Sequence, residues 1–291
     1  MFASFFDSWR MDLVHRLVDL ALDEDGQDLT SLAVFRSDSI LEASIVAKED
    51  TVVTGLPLIS IVLDRLGVGP ECTVMLLAND GDQVPTGFTV ARICGPAPAL
   101  LKAERVIMNF ICRLSGISNA TQRFVQAVAG TGVRVLDTRK TTPGLRYVEK
   151  YAVRMGGGYN HRANLEEMLM LKDNHIDQAG GITPAVQALR ASYTPCPPLE
   201  IECRTLDHVR EAVSLKPERI MLDNMPPAIA AQALALVPAE IETEISGNVT
   251  LDTIADLARL RPTHISTGAI THSAVVADFS MRLTSTVSET L

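Results

Sequence analysis

The chain has 291 residues, 47% of them hydrophobic, and a formal charge of −9 from 35 acidic against 26 Lys and Arg side chains. That is enough apolar material for one large or two ordinary domains. The acidic balance, with no basic stripe, argues against a nucleic-acid surface. No apolar run reaches the roughly 18 residues of a membrane span. Residues 1–14 carry Asp7, Arg10 and Asp12 and lack the apolar core of a signal peptide. Cys72, Cys94, Cys112, Cys196 and Cys203 are irregularly spaced with no CxxC pair, so they read as buried thiols of a cytoplasmic protein.

Residues 8–22 place Trp9, Leu13, Leu17 and Leu20 at helical spacing, and 24–30 read as a polar turn. Residues 41–48 and 51–54 alternate like strands, 57–66 read as a helix with proline at its start, and 72–77 and 87–94 read as further strands. This half is an α+β layer. Residues 96–114 form a long helical pattern that includes Arg105. After Ser115-Gly116 a second helix is expected from Ile117 to about Val128.

From Val133 the texture changes. Strands at 133–137, 168–172, 199–203, 219–223, 240–246 and 264–268 alternate with helices at 144–155, 183–191, 206–215, 226–236 and 251–260. Such alternation implies parallel pairing. A doubly wound sheet and a barrel both satisfy it; the short, even spacing and the lack of GxGxxG favour the barrel.

The strand ends carry the chemistry: Asp137-Thr138-Arg139-Lys140, Lys172-Asp173-Asn174-His175, Glu202-Cys203-Arg204, Asp223-Asn224, Ser246-Gly247-Asn248 and Ser266-Thr267-Gly268. In α/β barrels the C-terminal rim is where active sites assemble. Arg139, Lys140, His161, Arg162 and Lys172 crowd cations that an anion must offset, so a polyanionic ligand is expected. The glycine-containing turns after the last two strands suit a phosphate. Glu202 and Asp223 have three uses open to them: Mg²⁺ ligation, stabilisation of an oxocarbenium-like transition state, or acid–base work. No GxSxG or HExxH is present to suggest a hydrolase.

Longer motifs carry a resemblance. They are Ala103-Glu104-Arg105 with Asn109-Phe110 and 113–117, the run 137–146, and 149–153. Gly156-Gly157-Gly158 with Asn160-His161-Arg162, 172–176, 221–225 and Thr271-His272-Ser273 complete the set. In these the chain resembles the quinolinate phosphoribosyltransferases over nearly its whole length. The resemblance implies transfer of a phosphoribosyl group from phosphoribosyl pyrophosphate to quinolinate, with decarboxylation to nicotinate mononucleotide, in NAD biosynthesis.

It further implies an incomplete parallel α/β barrel at 116–269 with an N-terminal α/β sandwich domain at 1–115, completed by 270–291. Mg²⁺ is the implied cofactor, and a homodimer or an assembly of dimers with shared sites is the implied state. Arg105 would reach the neighbouring subunit's site. Thr138, Arg139, His161, Arg162 and Lys172 would form the quinolinate pocket, with Lys140 at the junction of the substrates. Glu202 and Asp223 would lie near the ribose and metal, and Ser246, Gly247, Asn248, Ser266, Gly268 and His272 near the phosphate. The chain departs from the family pattern at Asn248, where a second glycine is more usual, at Ala163, and in its short acidic loop 24–30. A paralogue acting on another anionic acceptor and a non-catalytic anion-binding protein are the alternatives. The intact Lys172–His175 run and Arg105 argue against the first, Glu202 and Asp223 against the second.

Overall fold

The computed structural model describes residues 2–36 and 38–285. Residues 286–291, expected to help complete the first domain, lie outside the described residues. In chain order the helices α1 (Phe2–Phe5), α2 (Ser8–Glu24) and α3 (Leu29–Val34) precede strands β1 (Ile40–Ala47) and β2 (Thr51–Val52). Then come α4 (Leu58–Arg65), β3 (Thr73–Leu76), β4 (Gln83–Val84), β5 (Thr89–Pro96), α5 (Ala97–Ala127), β6 (Arg134–Leu136), α6 (Arg146–Met155) and β7 (Leu169–Leu171). The remainder is α7 (Asp173–Ala179), α8 (Ile182–Ser192), β8 (Leu199–Cys203), α9 (Leu206–Ser214), β9 (Arg219–Asp223), α10 (Pro227–Leu236), β10 (Glu242–Ser246), α11 (Leu251–Ala258), β11 (His264–Ser266), α12 (Ala269–His272) and β12 (Phe279–Ser285).

Two units emerge. The first gathers the described residues of Met1–Thr121, Thr142–Gly157 and Ala274–Leu291; the second gathers Gln122–Thr141 and Gly158–Ser273. In the first, a four-stranded antiparallel sheet runs β12-β1-β5-β3. β1 alternates, with Leu41, Ala43 and Ile45 buried, as a half-covered antiparallel strand should. Asp80 knits this unit: its carboxylate accepts from the Gly55 and Leu56 amides at 3.0 and 2.9 Å and from the Tyr151 hydroxyl at 2.8 Å.

Sequence reading and structure part company in this unit. Ser115-Gly116 does not break the long helix; α5 runs through it. The hydroxyl of Ser115 accepts from the Thr54 amide at 2.9 Å, and a Cβ on Gly116 would collide with the Val275 carbonyl. The pair is there for close approach, not for a turn. The 144–155 helix was expected among the barrel helices, yet α6 packs on α5 in the first unit. There the Ser118 hydroxyl donates to the Ala152 carbonyl at 2.8 Å. The polar stretch 24–30 is only partly a turn, because Asp28 accepts from the Ser31 amide at 2.9 Å and caps α3. Of the five cysteines only Cys203 is buried; the other four are half-buried, and all five are unpaired.

The second unit holds a six-stranded parallel sheet in the order β6-β11-β10-β9-β8-β7. Register is continuous across it: Ser266 opposes Leu136, Ser246 opposes Asp223, and Cys203 opposes Leu222. β6 and β7 are the ends of the order, so this is the incomplete parallel α/β barrel, open between those two strands. Tyr159 adds an isolated parallel bridge to Leu136 on β6. β8 and β9 fall at 199–203 and 219–223 as their apolar runs predicted. Because the strands are parallel, their C-terminal ends share one rim. No helix among the described residues is long and apolar enough to cross a membrane.

Gly116→Ala tests the close-approach reading. Alanine favours helix, but its Cβ would overpack against the 275 backbone. Urea denaturation should show a net loss of about 1–3 kcal/mol, the usual range for overpacking. A neutral or stabilising change would mean the packing there has slack.

Candidate active site

The rim of the second unit encloses a cleft of about 380 Å³. One side is cationic. Thr138, Arg139 and Lys140 follow β6, and Arg162 follows the Tyr159 bridge; Lys172 ends β7 and caps α7. The segment that carries His161 is tied down by the fully buried Asp137. Its carboxylate accepts from the Asn160 side chain at 2.7 Å and from the His161 amide at 2.8 Å. Burial lowers the Arg162 guanidinium's pKa, and the facing Arg139 lowers it further, which is the mark of crowded like charges. Arg162 is steadied by its Nη1 donating to the Met168 carbonyl at 2.9 Å.

Glu202 and Asp223, near the ends of β8 and β9, add carboxylates to the same rim, and β8 is the direct neighbour of β7. Lys172 Nζ lies 3.5 Å from Glu202 Oε2. Burial raises the Glu202 carboxyl, Lys172 opposes that rise, and Asp223 adds to it. The turns after β10 and β11 complete the rim. Gly247 has φ 99° and Asn248 φ 52°, so both are left-handed. Asparagine is among the few residues that enter that region readily, and the Asn248 amide donates to Asn224 Oδ1 at 3.0 Å. The departure from glycine at 248 therefore keeps the backbone shape of the turn. Ser266 donates to the Ser246 hydroxyl at 3.0 Å.

The cleft thus gathers Thr138, Arg139, Lys140, His161, Arg162 and Lys172 with Glu202, Asp223, Ser246, Gly247, Asn248 and Ser266. Gly268 and His272 are not lining residues, but a Cβ on Gly268 would lie 3.1 Å from the Lys140 side chain and 2.8 Å from the His272 ring. Arg105 sits exposed on α5 in the first unit and does not line the cleft. Asn224, legible as a strand end, lines the cleft as well, and three lining residues have no site role from the sequence: Met170, Met221 and Glu244. Glu244 could have been found, since an acid inside an apolar strand two residues before Ser246 must face the barrel interior.

Beneath the cations lies a buried acidic pair. Glu200 and Glu244 are both fully buried. His161 Nε2 is 3.0 Å from Glu200 Oε2 and 3.6 Å from Glu244 Oε2. Burial pushes each carboxyl up to about 7, although Arg219 and Arg162 pull Glu200 down and His161 pulls Glu244 down. On the far side Arg219 Nη1 reaches Glu244 Oε2 at 3.2 Å and Arg219 Nη2 reaches Glu242 Oε2 at 2.8 Å.

An incomplete α/β barrel with an anion-binding cleft at its C-terminal rim defines a class of enzymes that bind small phosphorylated substrates. Comparisons narrow the class. The family described as quinolinate phosphoribosyl transferase matches with its C-terminal domain over residues 117–282 and its N-terminal domain over 28–115. The chain therefore belongs to the quinolinate phosphoribosyltransferase family. It is 41% identical to the probable nicotinate-nucleotide pyrophosphorylase [carboxylating] of Bacillus subtilis, covering 88% of each chain. It is 40% identical to the chloroplastic nicotinate-nucleotide pyrophosphorylase [carboxylating] of Oryza sativa, over 92% of this chain and 76% of the relative. The crystal structure of NadC from Streptococcus pyogenes superposes with a TM-score of 0.90 at 38% identity, over 96% of this chain and 98% of that one.

The buried pair sets a pH dependence of stability. A carboxyl whose pKa is higher folded than unfolded binds its proton more tightly in the fold. Its burial is then best tolerated below the ordinary carboxyl range, and stability declines as pH rises through about 7. Glu244→Gln removes that liability. Its denaturation midpoint relative to the parent should improve between pH 5 and about pH 8. A pH-independent difference would show that Glu244 is not protonated preferentially in the fold.

Proposed function

We propose that this chain joins quinolinate to phosphoribosyl pyrophosphate, releasing pyrophosphate and CO₂ and leaving nicotinate mononucleotide for NAD synthesis. The observation that carries the reading is that one cleft gathers Arg139, Arg162 and Lys172 with Glu202, Asp223 and the Ser246-Gly247-Asn248 turn, Lys172 Nζ and Glu202 Oε2 lying 3.5 Å apart. Quinolinate is a dianion, and guanidinium forks match carboxylates. Loss of pyrophosphate from the ribose C1 builds positive charge on the sugar, which Glu202 and Asp223 are placed to stabilise. Lys140 would neutralise the departing pyrophosphate. Once the ring nitrogen has bonded to C1, the pyridinium accepts the electron pair left by the departing CO₂. A proton then replaces the lost carboxylate.

Mg²⁺ belongs to this reading. Hard cations take oxygen ligands, and Mg²⁺ is commonly bound by one or two protein carboxylates with substrate phosphates supplying the rest. Glu202 and Asp223 on adjacent strands fit that donor set. When bound, the ion would supply charge neutralisation at the pyrophosphate. We further propose a homodimer in which the exposed Arg105 of one subunit serves the cleft of the other. The cytoplasm is the proposed location, where five unpaired thiols are at home.

Purified protein given quinolinate, phosphoribosyl pyrophosphate and Mg²⁺ should release CO₂ in step with nicotinate mononucleotide. No product, from quinolinate or from nicotinate in its place, would sink the reading. Shared sites predict complementation. An Arg105→Ala chain and a Lys140→Ala chain, each nearly inactive, should regain up to about a quarter of parental turnover when statistically mixed into hybrid dimers. Absence of rescue after mass spectrometry has confirmed subunit exchange would place Arg105 outside the neighbouring site.

A further inference from the structure

The cleft's histidine is wired into the protein more tightly than a free cation would be. The Arg162 amide donates to His161 Nδ1 at 2.7 Å. A proton on that nitrogen would face the amide hydrogen at contact distance, so Nδ1 must hold a lone pair and the ring proton must be on Nε2. Nε2 in turn faces Glu200 Oε2 at 3.0 Å and Glu244 Oε2 at 3.6 Å. Neither contact has the alignment of a straight hydrogen bond, so the hold is electrostatic and spread over two oxygens. The backbone of His161 is fixed independently, through its amide on Asp137.

We propose that Glu200 and Glu244 are positioning residues that hold the ring proton of His161 on Nε2 while the Arg162 amide at Nδ1 keeps the ring neutral, so that Nδ1 anchors the backbone of Arg162 at the quinolinate side of the cleft. His161 is then not one of the cations that meet the substrate. It is the link between a buried acidic pair and the arginine that does. This rests on the reading above for the identity of the acceptor. The arrangement resolves a physical difficulty. Arg139 and Arg162 already repel each other, and an imidazolium on the residue next to Arg162 would add to the repulsion whenever the cleft is empty. A neutral ring packs there without charge. Arg162 is gripped at both ends, by His161 at its amide and by the Met168 carbonyl at its guanidinium.

Two measurements test this on the full chain. Long-range ¹H–¹⁵N spectra of histidine-labelled protein at neutral pH, without substrate, should show His161 as the Nε2–H tautomer, assigned by its loss in His161→Asn. An imidazolium or an Nδ1–H tautomer would overturn the proposal whatever the enzyme acts on. Kinetics then read the link. Glu200→Ala should raise KM for quinolinate about tenfold or more, the scale of a lost bond to a charged group, while KM for phosphoribosyl pyrophosphate stays within about twofold. Glu200→Gln keeps an oxygen acceptor facing Nε2 and should restore most of that loss. Equal rises in both KM values, or no rescue by glutamine, would make Glu200 a general core residue instead. If Glu200→Ala does not fold, the tautomer of the parent and the KM split of Glu200→Gln against Glu200→Asp still decide. Failure of the parent to use quinolinate at all would be seen first in the turnover assay and would leave the tautomer result standing.

Discussion

Buried charge is the constraint on which the second unit depends. Strands of a parallel sheet covered on both faces are normally apolar throughout, yet β8 buries Glu200 and Glu202 and β10 buries Glu244. Isolated, such carboxylates would cost several kcal/mol each. They are tolerated because the barrel interior is built as alternating charge. Arg219, His264 and Glu242 lie toward the start of the strands, the Glu200–Glu244 pair lies in the middle, and His161, Arg162 and Lys172 lie toward the rim. Burial holds the acidic pair high against the pull of those cations, and His264 is pushed down to about 4, chiefly by burial and by Arg219. Removing the acidic pair would leave Arg219 facing the cations of the rim across a poorly hydrated space. At the top Arg139 and Arg162 act on each other as like charges, a repulsion that an anion would offset.

Shape at the rim follows from backbone freedom rather than charge. Gly247, Asn248 and Asn224 all take left-handed conformations, and a Cβ on Gly247 would collide with the Asn224 amide. The turn after β10 is therefore folded tightly onto the end of β9. Its amide groups are left at the rim, where a phosphate can use them. Asn248 fills a left-handed position at small cost and spends its side chain on Asn224. A residue that departs from the expected glycine thus preserves what glycine provides.

What the sequence made legible follows from period and punctuation. β8 and β9 are legible to the residue because Leu199, Ile201 and Cys203 alternate in the one and Ile220, Met221 and Leu222 fill the other between turn residues, and the rim groups are legible because they lie at the ends of those strands. The long helix was cut in two because Ser-Gly is ordinarily punctuation; only the Val275 backbone, far along the chain, shows why glycine is needed inside α5. The assignment of α6 failed for a similar reason. Its alternation with strands is local, whereas its packing on Ser118 and the burial of Glu149 against Arg113, at 2.7 Å, are not. Glu244 escaped notice because a lone acid in a strand looks like an exposed one until its neighbours are known. His161 reads from the sequence as a pocket cation; its partners, Glu200 and the Arg162 amide, become visible only once the strand 39 residues away and its own next peptide are in place.

Gly268 carries a duty that its type alone does not suggest. A glycine after the last strand reads as room for a phosphate. In the structure the missing Cβ is room for Lys140 and His272, whose side chains would be crowded by any larger residue. Lys140 is held at both sides of its peptide as well. Its amide donates to Thr138 Oγ1 at 3.0 Å, and its carbonyl accepts from Thr271 Oγ1 at 2.9 Å. The lysine is exposed, and a long exposed side chain is ordinarily the least ordered kind. Here the backbone clamp and the slot beside Gly268 restrict it before any substrate arrives. Part of the entropy that binding would otherwise cost is thereby already lost on folding. The segment around residue 140 works as a rigid cationic arm because Gly268 and Thr271, at the turn after β11 and in α12, join its own Thr138 in holding it.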